Sequence, residues 1–149
     1  MKAINFLISI FLIACLIPVN AQSGKEVPAN VKAEFSKLYP TVKDAKWHKE
    51  EGNYEAKFKF ETKEMSVQIN GMGHLVQKEV YLKMTDLPKS AQEYLSKKYA
   101  GVKIDEVSEV TDSKNIKHYQ VETKTKVVFF DTKGTFMKEE KNDEKDDDD

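Results

Sequence analysis

The chain has 149 residues, with 24 basic residues that are all lysine, 25 acids and a formal net charge of −1. That balance argues against a basic nucleic-acid binder, and without arginine there is no planar fork for bidentate capture of phosphate or carboxylate. Hydrophobic residues at 40% and aromatics at 10% suffice for a packed core, so the chain is not disordered throughout.

Met1-Lys2, the nearly unbroken apolar run Ile4 to Ile17, and the small-residue exit Val19-Asn20-Ala21 read as a secretory signal peptide over residues 1–21, cleaved before Gln22. The run is shorter than the roughly 20 apolar residues a membrane span needs, so no membrane span is expected. Leu12-Ile13-Ala14-Cys15 also resembles a lipobox, which would make Cys15 a lipid anchor. Because Leu16 and Ile17 continue the apolar run past that cysteine, cleavage after Ala21 is the expectation. The mature chain then holds no cysteine, and an exported protein without disulfides is stabilised by burial alone.

Beyond the leader the sequence resembles itself. Pro28 recurs as Pro88, Ser36-Lys37 as Ser96-Lys97, Tyr39 as Tyr99, Glu61-Thr62-Lys63 as Glu122-Thr123-Lys124 and Gly73 as Gly134, at a shift of 60 residues that becomes 61. This predicts a tandem repeat, the first unit over 27–84 and the second over 85–138. Each opens with a proline suited to a helix start and then an amphipathic stripe, Val31, Phe35 and Leu38 in one, Ala91, Leu95 and Tyr99 in the other.

The period then switches to two. Tyr54, Ala56, Phe58 and Phe60 alternate with Glu55, Lys57, Lys59 and Glu61, and Met65, Val67 and Ile69 follow the same rule. A weaker strand is predicted over 43–49, with Ala45 and Trp47 facing inward. Glu61-Thr62-Lys63 reads as a hairpin loop, and Asn70 to Gly73 and Asp131 to Gly134 as turns in which glycine supplies a positive φ. Strands resume over 75–82 and at Phe136. The predicted fold class is α+β: a tandem repeat of a helix followed by about four antiparallel strands, with two helices packed on one face of a shared antiparallel sheet. The opposite face is expected to be solvated and rich in Lys and Glu.

From Lys138 onward there are three lysines and eight acids, ending in four aspartates, whereas Gln22 to Met137 holds 20 lysines and 17 acids. Residues 139–149 are therefore predicted to be a disordered acidic tail.

The Val-Pro and Leu-Pro helix starts, the helices closing on Tyr39 and Tyr99, Trp47, the Tyr54 strand and the turn Phe130-Asp131-Thr132-Lys133-Gly134 together resemble the PepSY-like, beta-lactamase-inhibitor-protein-like family of secreted bacterial domains. The resemblance covers residues 27 to about 138. It implies an α+β domain in or beyond the periplasm without established catalytic residues, related in name to inhibitors that clamp a protein against a sheet.

No serine lies in a nucleophile-elbow motif, and His48, His74 and His118 lack the short spacing of a zinc pair, so neither catalytic nor metal or cofactor residues are expected. Trp47 and His48, on the weakest strand, and Phe129, which must face away from Phe130 in a regular strand, are the candidate partner-binding residues. The expectation is an exported, non-enzymatic binding or inhibitor-like module recognising a protein or peptide through its sheet face. The alternative is a structural or envelope-associated protein, lipid-anchored at Cys15.

Overall fold

The computed structural model describes residues 27–50 and 52–142, so the signal-peptide and Cys15 readings and the last seven residues lie outside the described residues. Ten-residue helix α1 (Ala29–Leu38) leads into strands β1 (Lys46–Glu50), β2 (Asn53–Phe60), β3 (Lys63–Asn70) and β4 (Leu75–Tyr81). A short 3-10 turn, Met84–Asp86, precedes α2 (Lys89–Lys98), which is followed by β5 (Ile104–Asp112), β6 (Lys117–Thr123), β7 (Lys126–Phe130) and β8 (Phe136–Lys141).

All eight strands form one antiparallel sheet in the order β1 to β8, each paired with its neighbours in sequence. This corrects the tandem-repeat fold class. β4 pairs with β5, Gln77 opposite Asp112 through Tyr81 opposite Ser108, so the last strand before α2 and the first after it are neighbours in one continuous sheet. Among the described residues the fold is therefore a single dominant sheet carrying two short helices, with no edge left between two separate helix-plus-strands units.

Both helices lie on the same face. Val31 and Phe35 of α1 are buried against Tyr54, Ala56, Phe58, Val67 and Ile69, and Ala91 and Leu95 of α2 against Val107, Val121, Val128 and Phe130. Phe35 meets Phe58 edge-on at 5.1 Å between ring centroids, a preferred aromatic geometry. Pro28 and Pro88 sit immediately before the helices, where their carbonyls accept from the amides of Lys32 and Gln92. Tyr39 and Tyr99 close them by donating to the carbonyls of Phe35 and Leu95.

Three hairpins turn by one device. The side-chain oxygen of Asn70, Asp112 or Asp131 accepts two backbone amides each, from Met72 and His74, Lys114 and Ile116, and Lys133 and Thr135. The left-handed position is taken by Gly73, Asn115 and Gly134 in turn. Two of these turns also fasten the helices: Asn30 Nδ2 donates to the Gly71 carbonyl at 3.0 Å, and Ser90 Oγ to the Lys133 carbonyl at 2.7 Å.

The boundary of the acidic tail also moves. Glu139–Lys141 belong to β8, and Asn142 is buried, its side chain donating to the Thr123 carbonyl at 2.8 Å and its amide to the Thr125 carbonyl. All six β8 residues are exposed, so composition alone made an edge strand look like tail. Asn142→Ala is expected to cost about 1–2 kcal/mol in urea unfolding, because it leaves a buried carbonyl without its partner. A loss indistinguishable from zero would mean that the strand end is not held there.

Candidate functional site

The alternation that buries one side of each strand sends the remaining side chains to the face without helices. Register aligns them in rows across the sheet: Lys57, Ser66, Glu79, Val110 and His118 in one, and Tyr81, Ser108, Gln120, Phe129 and Lys138 in another. Among the described residues no helix or strand packs over this face, yet it is not simply solvated as expected. Ser66 and Ser108 are buried and Val110 is 0% exposed, because neighbouring side chains cover one another.

Charge concentrates at its centre. Glu55 is buried and pairs with Lys57, whose ammonium lies 3.5 Å from the carboxylate and 5.8 Å from the centroid of the Tyr81 ring. Burial alone would lower the Lys57 ammonium, but Glu55, the Tyr81 hydroxyl and Glu106 outweigh it and hold it well above the ordinary lysine range. Burial pushes the Tyr81 phenol up to about 12. Its oxygen is shut off from solvent without a well-formed hydrogen bond, although Ser66 and Lys57 lie beside it.

Glu79 occupies the middle of the patch. Gln77 Nε2 donates to its carboxylate at 2.6 Å. Burial, and then repulsion from Glu106, Glu55 and Glu122, pushes its carboxyl up to about 7, against the attraction of Lys57. A groove of about 510 Å³ opens beside this centre, with Lys57, Glu64, Tyr81, Leu82, Ile104 and Glu106 among its walls.

Toward the far edge, Phe129 lies half-buried with His118 at 5.8 Å and the Lys138 ammonium 4.5 Å above its ring. Burial lowers the His118 imidazolium despite attraction from Asp112, and Lys138 adds to the lowering. His48 is exposed on the same face, opposite Glu55, on edge strand β1. Trp47 faces the other way: it is half-buried beneath α1, edge-on to Phe35 at 5.3 Å. The structure therefore places His48 and Phe129 toward opposite edges of one face and brings neither to Trp47.

Sequence reasoning missed the central residues, Glu79, Tyr81, Glu106 and Val110. One signal was available: Val107 and Val110 are three apart in a strand and must point to opposite faces, so one of them had to be apolar on the side away from the helices.

A second groove, of about 650 Å³, lies on the helix side between α2 and β8, walled by Tyr94, Tyr99, Val102, Lys126, Phe136 and Glu139. Tyr99 donates to Glu139 at 2.5 Å, and Lys126 pairs with the same carboxylate. Among the described residues no group of three or more His, Cys, Asp or Glu side chains is arranged to hold a metal ion. No helix among them is long and apolar enough to cross a membrane.

No protein-family model matches this chain, and neither does any curated protein. Several solved structures do match in fold. A DUF2874 family protein from Bacteroides ovatus has a TM-score of 0.68 and 22% identity over 83% of this chain and 94% of its own. A predicted periplasmic protein from Bacteroides eggerthii has a TM-score of 0.68 and 15% identity over 82% and 94%. A BLIP-like protein from Bacteroides fragilis has a TM-score of 0.61 and 19% identity over 82% and 91%. None of these three is named for PepSY; at these identities the likeness is one of fold, and the fold it supports is BLIP-like.

Proposed function

We propose that this protein is an exported, non-catalytic binding module that recognises a protein or peptide partner with the helix-free face of its sheet. The observation that carries the reading is a face with no element packed over it among the described residues, on which buried Val110, half-buried Phe129 and Tyr81, and a central group of charges are ordered by strand register. Phe129 is its aromatic anchor and His48 marks the opposite edge, on β1; Trp47 supports β1 from the helix side. The BLIP-like name of one structural neighbour adds to the case for protein binding. Export rests on the leader over residues 1–21 and on the neighbour named as periplasmic.

A pull-down from native extract with the full mature chain tests this. The wild type is expected to retain a stoichiometric protein that Phe129→Asp loses, while the helix-side control Lys32→Glu keeps it. Equal retention by Phe129→Asp and wild type would move the surface elsewhere.

A further inference from the structure

We propose that the helix-free face receives a basic segment of its protein partner, with a cationic side chain entering the groove beside Tyr81. This rests on the reading of that face as the binding surface and adds the chemistry of what binds there.

Charge is segregated within the molecule. On β2 through β6 the helix-free face carries six carboxylates, Glu55, Glu64, Glu79, Glu106, Asp112 and Glu122, against two lysines, Lys57 and Lys59, a net −4 with His118 neutral and Glu79 ionised, −3 with Glu79 protonated. Gln22 to Met137 as a whole carries 20 lysines against 17 acids. A body that is positive overall between Gln22 and Met137 has therefore gathered negative charge on the broad face that no helix packs over among the described residues, and the complementary partner is cationic.

The groove shows how such a side chain is received. Lys57 already lies over the Tyr81 ring with its ammonium directed to Glu55, an aromatic surface for the alkyl stem and a carboxylate for the head. Leu82 and Ile104 extend the apolar wall, and Glu64 and Glu106 supply further carboxylates. An acidic segment would be repelled here, and an apolar one would strip water from several carboxylates without compensating them.

Glu79 makes the face sensitive to pH. Ser66 and Val110 flank it across the strands, Gln77 and Tyr81 along its own, and Glu55, Lys57, Glu106 and Glu122 act on it from β2, β5 and β6. As Glu79 loses its proton the face gains a negative charge, so a cationic segment is held more tightly above neutral pH than in mild acid.

Fluorescence anisotropy with a labelled peptide of alternating lysine and alanine, and its glutamate counterpart, against the full mature chain at low salt tests the proposal. The lysine peptide is expected to bind and the glutamate peptide not, with binding weakened by added salt. Glu106→Gln/Glu122→Gln is expected to weaken binding about tenfold, and substitution of Asp146–Asp149 by asparagine to change it less than about twofold. Should the double variant not fold, Glu122→Gln alone takes its place. Glu79→Gln is expected to keep the binding and lose its rise with pH. Equal binding of both peptides, or binding that follows the four aspartates and ignores the face variants, would overturn the proposal. If lysine-peptide binding fails while Phe129→Asp still abolishes partner retention, the face binds another chemistry and only this inference falls; if both fail, both readings fall.

Discussion

Replacing Gly134 with alanine is expected to be the most damaging small change in the protein, lowering stability by about 3 kcal/mol and Tm by about 10 °C or more. Gly134 has φ +81°, a left-handed conformation that an L side chain rarely adopts. An added Cβ would also press on the Ser90 hydroxyl and would itself lie 2.7 Å from Pro88 Cβ and 3.0 Å from the Ala91 amide nitrogen. The turn that sets the β7–β8 hairpin and the first residues of α2 are thus packed against each other, and neither yields without moving the other. Gly101 provides the internal control. It has φ +77° but open space around it, so Gly101→Ala is expected to cost only the conformational penalty, about 1–2 kcal/mol. Chemical denaturation of both variants separates strain from contact. Equal losses at the two positions would show that the turn is not seated on the helix as described.

The second large effect concerns pH. The Glu79 carboxyl titrates at about 7 in the folded chain, against an ordinary value of 4.5. Between those values the native state keeps a proton that the unfolded chain has released, so unfolding releases it and is favoured by rising pH. The Glu79 contribution is therefore most favourable below about 4.5, declines as pH rises toward 7 and is fully lost above it, a change on the order of 3 kcal/mol. Glu79→Gln keeps the shape while removing the titration. It is expected to flatten this part of the stability profile and to exceed wild type in stability above pH 7 by the same order. Parallel profiles for the two proteins from pH 4.5 to 7 would mean that Glu79 is not held in the environment described here.

Much of the local structure was legible because it is written in local patterns. Alternation around Tyr54 to Phe60 and Met65 to Ile69 predicts strands that the structure contains, and the glycines at 73 and 134 mark turns with the predicted positive φ. The turn at Asp112 escaped notice because Asn115, not glycine, takes its left-handed position at φ 62°. The matches read as a duplication fall largely at helix starts, helix ends and turns, where Pro28 and Pro88, Tyr39 and Tyr99, and Gly73 and Gly134 give the same local instruction twice. A shared sheet was expected, but which strand pairs with which across the linker is not a local property, and the β4–β5 ladder that makes the join left no periodic trace.

The candidate site was harder to read for the same reason. Phe129 was a candidate only because it and Phe130 must point to opposite faces; the structure puts Phe130 in the core, 0% exposed, and Phe129 on the side away from the helices. Glu55, Glu79, Glu106 and Glu122 sit in four different strands, each an ordinary charged residue in its own alternation. Only register collects them around Lys57 and Tyr81 and gives Glu79 its shifted titration. The fold supplies the site by adjacency, which no single segment displays.

The central claim, that the face without helices is the binding surface, is tested most directly by photo-crosslinking from single positions in the native compartment. A crosslinker at Gln120, between Ser108 and Phe129 on that face, is compared with one at Glu93, exposed on α2. The account predicts one discrete protein adduct from position 120, none from position 93, and loss of the adduct when Phe129→Asp is added. An adduct from position 93 with none from position 120 would contradict it.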